Sequence, residues 1–467
     1  MTRDGLQQRM AKANALRRQV WQARNLGVRH VAKKIKRRLM GPAPQPSPSS
    51  TARIEASVLG WTPESASSYG QRCTRLEEAM RTAFDAGRYL EYLNCGRELG
   101  QFRDDHARHL GLDPSHRRII GSGFLGPLGH LSFLDIYEKL AVVGQSGGED
   151  VIVSAERERI PNNAYLDLWK RHFVIEDITA QQWVDLHHVF EPITERADFM
   201  RTESGYEPSM FLWDRLNRRW ELEGRQPLLE LPTDLVERGS AAIERMGVPR
   251  GAWYVCFHVR EGDHRVSYRG PNARVETYVD AMAEVVRRGG YAIRMGDADM
   301  TPLPNMPGVI DYAHAVQRAD WLDVYLWATC RFFVGTGSGP IHIPGTFGVP
   351  VLMTNTSAVG MFVPYSTGAM MITKHMIDMS TTRELNIGEA LARGVGWNWS
   401  ADFSRHGVRL EDNSASEIRD AVVDMFDAVD GKRPSHTAGQ TRFDEMRRNA
   451  GSAITTPCAP SFAERFV

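Results

Sequence analysis

Trp253-Tyr254-Val255-Cys256-Phe257-His258-Val259-Arg260-Glu261-Gly262-Asp263 is the stretch on which the fold turns. Its first five residues form an apolar run of strand length, which predicts a buried strand. The run ends in His258, Arg260 and Asp263, then passes into a polar loop carrying Arg265, Tyr268, Arg269 and Asn272. A buried strand that delivers polar residues into a loop sets charge along the carboxyl edge of a parallel sheet. Ligands of open α/β sheets bind at that edge.

Toward the C-terminus, helix and strand patterns alternate. Val275–Arg288 reads as a helix with Tyr278, Met282 and Val285 or Val286 inward, and Tyr291–Met295 and Gly308–Tyr312 read as strands. Trp321–Ala328 reads as a helix, Arg331–Val334 as a strand, Ile341–Phe347 as a short helix and Val349–Met353 as a strand. Such alternation predicts a parallel, doubly wound sheet. Toward the N-terminus, Ile119-Ile120 runs into a glycine-rich loop, followed by a helix over Leu134–Val143 and a strand over Asp150–Val153, a second βαβ unit. Trp169–Trp220 reads as mixed and mostly helical, and Leu228–Met246 as a bridging helix. The expected fold is α/β with two Rossmann-like lobes, residues 116–248 and 249–430, a helical segment at 51–115 and a tail at 431–467.

Residues 1–50 form a separate region. Between Arg3 and Arg38 the only acid is Asp4, and Leu16, Val20, Leu26, Val31, Ile35 and Leu39 are spaced among Arg and Lys. Residues 1–40 therefore read either as a basic helix lying on an anionic membrane surface or as a solvated basic tail. The Pro- and Ser-rich run Gly41–Ser50 reads as an extended linker. Over the whole chain the formal net charge is zero, which gives no global pull toward nucleic acid, and no nucleic-acid partner is expected. The five cysteines have no C-x-x-C spacing, which signals neither zinc nor a disulfide framework. No apolar run nears membrane-spanning length and no secretory h-region opens the chain, so a cytoplasmic protein is expected, peripheral at the inner membrane face if the basic helix binds there.

Four motifs carry candidate chemistry. A guanidinium at Arg260 matches two phosphate oxygens in a fork and stays charged. His258 and Asp263 would hold the strand end and the loop, and Arg269 and Asn272 either add contacts or serve the Gly270-Pro271-Asn272 turn. Val334-Gly335-Thr336-Gly337-Ser338-Gly339-Pro340 joins a strand to a helix, and Thr336, Gly337, Ser338 and Gly339 suit an anion at a helix N-terminus. It is neither a Walker loop nor a dinucleotide fingerprint. Arg294-Met295-Gly296-Asp297-Ala298-Asp299 contains D-x-D, a metal signature in one class of sugar transferase. Its position after a complete βαβ half favours instead Arg294 and Asp297 as ligand contacts without metal. Gly126-Pro127-Leu128-Gly129-His130 places His130 as a candidate base, against the commoner role of a packing histidine. Asp311 follows a strand and is a candidate contact to a base or ribose. Asp320 and Asp323 read first as a helix start, and His106, His109, His187 and His188 as ordinary surface histidines.

The run Phe257–Gly360 resembles a bacterial family of glycosyltransferases through F-H-V-R-E-G-D, I-R-M-G-D, V-I-D-Y-A, D-W-L-D-V-Y-L, F-F-V-G-T-G-S-G and F-G-V-P. His258, Arg260, Gly262 and Asp263 also resemble the first motif of fucosyltransferases. The resemblance implies the two-lobed GT-B architecture, a nucleotide-diphosphate-sugar donor on the second lobe, and a glycan or lipid-linked acceptor on the first. It also implies metal-independent transfer with no cofactor, Arg260 as the diphosphate-binding residue, and a place in polysaccharide biosynthesis of the cell envelope. Glu261 stands where the fucosyltransferase motif often carries a second basic residue, which counts against GDP-fucose as donor. Two other readings stay open: a non-catalytic binder of sugar nucleotides or glycans, and a sugar-nucleotide epimerase, which needs no acceptor.

Overall fold

The computed structural model describes residues 63–86, 88–112, 114, 117–145, 150–183, 191–262, 272–360, 368–397, 403–432 and 437–467. The expected basic helix and linker, Asp263, Arg269, His187 and His188 lie outside these residues. The chain divides into two compact units, Met1–Gln71 and Arg72–Val467, and the sheets described below belong to the second.

Two long helices, Pro63–Asp85 and Tyr89–His109, precede the first sheet. That sheet consists of β1 (Arg117–Gly121), β2 (Asp150–Ala155) and β3 (Val174–Asp177), parallel and in that order. A parallel bridge from Ile119 to Thr194 adds a further step on the free side of β1. Ile120 and Val153 are fully buried at its centre. An antiparallel hairpin follows, β4 (Phe199–Thr202) and β5 (Gly205–Pro208), turning through Glu203 and Ser204, with Gly205 at φ +116° just after the turn. The segment Trp169–Trp220 is thus less helical than its sequence predicts. Strands of four residues are too short to display a period, and their identity comes from the neighbours they pair with.

The second sheet is larger. β6 (Tyr254–His258), β7 (Tyr291–Met295), β8 (Val309–Asp311), β9 (Phe333–Thr336), β10 (Val351–Thr356) and β11 (Met370–Thr373) are all parallel, in the order β8-β7-β6-β9-β10-β11. Every residue of β6 and of β10 is buried: both faces are covered, which explains the apolar runs that open the two strands. The helix Ala415–Val429 supplies part of that cover, with Phe426 edge-on to Phe332 at 4.8 Å and to Trp253 at 5.6 Å. A small antiparallel pair, β12 (His375–Asp378) and β13 (Val408–Glu411), completes the lobe. The fold is therefore α/β with two parallel sheets in two lobes, as the alternating pattern predicts.

The lobes touch directly. Tyr165 Oη and Thr346 Oγ1 are 3.0 Å apart, and Asn162 Nδ2 donates to the Asp320 carbonyl at 3.0 Å. The backbones meet at two glycines: a Cβ on Gly129 would lie 2.7 Å from Gly339 Cα, and one on Gly339 would lie 2.8 Å from Gly129 N.

Candidate functional site

The strand order places the site. From β6 the chain winds outward through β7 to β8, then returns to the other side of β6 as β9. The carboxyl ends of β6 and β9 therefore flank the point where the winding reverses, and a crevice opens there in such sheets. His258 and Gly335 are partners in register across it. Gly335 is required at that position, since a Cβ would come within 2.9 Å of the His258 carbonyl.

A cleft of about 710 Å³ lies at this point. From the second lobe it is lined by His258, Arg260, Glu261 and Gly262, by Asp297, Asp299, Met300 and Thr301, and by Gly337 to Pro340 and His342. From the first lobe it receives Pro127 to His130, Phe133 and Met210. Of the residues singled out from sequence, the structure thus brings His130, His258, Arg260, Asp297, Gly337, Ser338 and Gly339 together.

Arg260 is held by its backbone from two sides. Its N–H donates to Thr336 Oγ1 at 2.9 Å, and its carbonyl accepts from the Ala273 N–H at 3.0 Å. Thr336 is fully buried and is not among the cleft-lining residues, so its hydroxyl fixes the arginine instead of meeting a ligand. His258 is buried, with Nδ1 3.2 Å from Ser338 Oγ. Burial, then the charges of Arg294 and Arg260, push its pKa down to about 4. The ring is neutral at neutral pH and ties the end of β6 to the loop after β9.

That loop differs from expectation in one respect. Gly339–His342 is a 3-10 turn, and the helix after it, Ile343–Thr346, is a single turn. The macrodipole of a long helix is not available here. What the loop offers is close backbone approach and the Ser338 hydroxyl.

Arg294 and Asp311 are placed away from the cleft lining. Arg294 is 0% exposed and stands in register with Asp311 on the next strand. Its guanidinium pairs with Asp311 at 3.2 Å and Glu261 at 3.5 Å, and donates to the Thr301 carbonyl at 3.2 Å. Asp311 also accepts from the Leu303 N–H at 2.9 Å and from His314 Nδ1 at 2.8 Å. Arg294 faces inward because three acceptors converge on it, and a buried guanidinium needs them. Its role is to hold Glu261, whose Oε2 also accepts from the Thr301 N–H at 2.6 Å. This network braces the loop after β7 against the loop after β6. Glu261, Thr301, Met210 and His342 line the cleft without having been singled out from sequence. Glu261 is next to Arg260 in the motif, a signal that was present; the other three are recognisable only through the fold.

Asp297 and Asp299 both line the cleft. Asp297 is paired with Arg318 at 3.2 Å. Among the described residues, no three His, Cys, Asp or Glu side chains gather as a metal site. Asn272 lies beside Gly262, where a Cβ would collide with its side-chain amide, and its carbonyl accepts from Lys374 Nζ at 2.7 Å.

His130 faces this array from the first lobe. Its Nδ1 lies 2.8 Å from the Phe124 carbonyl, which only accepts, so Nδ1 carries the proton. The ring stacks on Phe133 at 5.1 Å. Burial lowers its pKa, against the Phe124 bond and the charge of Asp198, which raise it. A neutral ring protonated on Nδ1 leaves Nε2 as an acceptor. His342, also buried in this cleft, is pushed down to about 3 by burial and by His130. Among the described residues no helix is long and apolar enough to cross a membrane.

No protein-family model matches this chain, and no curated protein matches it. Solved structures do. The chain is similar to a glycosyl transferase family 9 protein from Veillonella parvula DSM 2008, at 11% identity and a TM-score of 0.37, over 55% of this chain and 86% of that one. It is similar to the ADP-heptose lps heptosyltransferase II of E. coli, at 11% identity and a TM-score of 0.36, over 55% of this chain and 90% of that one. A third likeness is to the E. coli heptosyltransferase WaaC solved with ADP, at 9% identity and a TM-score of 0.32, over 55% of this chain and 93% of that one. At identities this low, the function of this chain has to be argued from its own residues.

Proposed function

We propose that this protein is a glycosyltransferase that moves a sugar from a nucleotide-diphosphate donor to a glycan or lipid-linked acceptor, without a metal. One observation carries the reading: Arg260 and the Gly337–Gly339 loop stand at the switch point of the six-stranded sheet and face His130 across a single cleft. When the bond from sugar to diphosphate breaks, negative charge grows on the leaving phosphate. Arg260, fixed through Thr336 and Ala273, stabilises that charge in place, which is electrostatic catalysis. The Ser338 hydroxyl and the loop backbone supply further donors. Asp297 and Asp299, just after β7, stand where the sheet presents its carboxyl edge to the nucleoside. His130, neutral and with Nε2 open to accept, takes the proton of the attacking acceptor hydroxyl.

The test is turnover against a panel of ADP-, GDP-, UDP- and CMP-sugars. Arg260→Ala is expected to lower kcat by about 10²–10³-fold, the loss typical of one removed charge-stabilising donor. His130→Gln is expected to lower it by about 10²–10⁴-fold, the usual contribution of a general base. Arg260→Ala turning over at the wild-type rate would end this reading.

A further inference from the structure

A second cavity, of about 520 Å³, lies among the helices that end at Asp85 and His109, the start of β1 and the β4–β5 hairpin. Its volume falls within the roughly 300–1,000 Å³ of small-molecule sites. It shares no lining residue with the cleft.

The cavity is built with aromatic faces beside fixed charge. Tyr92, Phe199 and Tyr206 form its rings. Gly96 and Gly100 stand mid-helix within Tyr89–His109, where a Cβ would fall 2.2 Å from the Phe199 ring and 2.3 Å from the Tyr206 ring. Each glycine costs about 1 kcal/mol relative to alanine, and both let a cavity-lining ring reach the helix backbone. On another wall Arg118, nearly fully buried, pairs with Asp104 at 3.0 Å and Glu195 at 3.3 Å. Its Nη2 donates to Tyr206 Oη at 3.0 Å, Tyr206 Oη donates to Asp104 at 2.8 Å, and Tyr137 Oη donates to Glu195 at 2.8 Å. Apolar residues of similar volume would often pack such a wall at no loss of stability.

This chemistry fits a sugar. A pyranose lays its C–H face on an aromatic ring and offers hydroxyls to planar guanidinium and carboxylate groups. An alkyl chain would strip water from these charged groups and give nothing back. An anion would meet Glu195 and Asp198 as well as the arginines. A backbone contact on the same lobe links the wall of the cavity to a segment that lines the cleft. The Asp198 carbonyl accepts from the Ser209 N–H at 3.1 Å, next to Met210 of the cleft, and the Asp198 carboxylate is close enough to His130 to act on its charge.

We infer that this cavity binds a saccharide unit of the acceptor, set back from the hydroxyl that reaches His130, so that acceptors of two or more sugars are preferred over monosaccharides. The inference rests on the cleft being the site of glycosyl transfer. The test is saturation-transfer NMR on the full chain, using glucose, galactose and N-acetylglucosamine and the disaccharides maltose, cellobiose, lactose and chitobiose, with ADP, GDP or UDP present. At least one disaccharide is expected to bind about tenfold better than its monosaccharide. Met80→Trp, which fills the cavity, and the exposed double variant Arg81→Glu/Asp198→Asn are each expected to weaken that binding by about tenfold. Both should keep the wild-type nucleotide-induced rise in Tm. Silence from every disaccharide, or a signal unmoved in both variants, overturns the inference while leaving the cleft reading intact. Absence of any nucleotide-induced rise in Tm in the wild type would instead overturn the cleft reading, and with it the acceptor role of this cavity.

Discussion

His258 closes a fully buried strand and points its Nδ1 at Ser338, with Arg260 and Arg294 close enough to repel any charge on it. A histidine in an unfolded chain titrates near 6.5. In the folded chain His258 titrates near 4 and His342 near 3. Protonation therefore favours the unfolded chain, and the fold holds both rings neutral. The stability they contribute is complete above pH ~6.5 and is lost as pH falls from there through the folded values. Denaturant midpoints measured from pH 7 to pH 4 are expected to fall for the wild type. The slope should flatten in His258→Gln by up to about one proton. Equal slopes in the two proteins would mean that this ring takes up its proton at the same pH in the folded and the unfolded chain. Burial also separates Arg260 from Arg294. One arginine lines the cleft; the other, closed off from solvent, spends its donors on Asp311, Glu261 and Thr301.

Among the elements, the two turns carrying Gly129 and Gly339 decide how closely the lobes approach. Each would place a Cβ against the other's backbone, which cannot rotate aside as a side chain can. Gly129→Ala and Gly339→Ala are each expected to lower stability by about 1–3 kcal/mol, the usual cost of overpacking. Gly123→Ala is the control, since an added Cβ there meets nothing within 4 Å; a change within about 0.5 kcal/mol is expected. Thermal unfolding of the three variants measures this. Equal Tm values would show that the turns part without cost. Elements elsewhere are set more locally. The helices Ile387–Ala392, Ala415–Val429 and Ala438–Asn449 each open on a capping box, from Asn386 to Glu389, Ser414 to Glu417 and Thr437 to Gln440.

For the molecule as a whole, the C-terminal segment joins both lobes. Cys458 bridges to Met371 on the edge strand of the second lobe. Thr455 donates through both N–H and Oγ1 to Asp214 Oδ2, at 3.1 and 3.0 Å, on the helix Ser209–Leu222 of the first. Burial pushes Asp214 up to about 6, against the Thr455 bonds. Asp214→Ala would remove the acceptor of two hydrogen bonds from the exposed Thr455, at a cost of about 0.5–1.5 kcal/mol for each bond at most. Its Tm should fall while the affinity of the cleft for nucleotide diphosphates, read by titration calorimetry, stays unchanged. A large loss of affinity would show instead that this segment sets the spacing of the lobes.

The residue order by itself determined the parallel sheet of the second lobe and the loops at its carboxyl edge. The strands β6 and β9 open on apolar runs and lie parallel, so the chain leaves both at the same end, and Arg260, Ser338 and Gly339 had to emerge at one edge. The turn Gly126-Pro127-Leu128-Gly129 ahead of His130 was likewise visible as a loop, although its partner across the cleft was not. Only the tertiary structure decided which arginine turns inward, since that depends on the register of β7 against β8 and on where Glu261 and Thr301 end up. It also decided the hairpin hidden in Trp169–Trp220, the meeting of Gly129 with Gly339 and the aromatic cavity under the helical pair. Each of these depends on contacts that local periodicity does not encode, most of them between residues far apart in the chain.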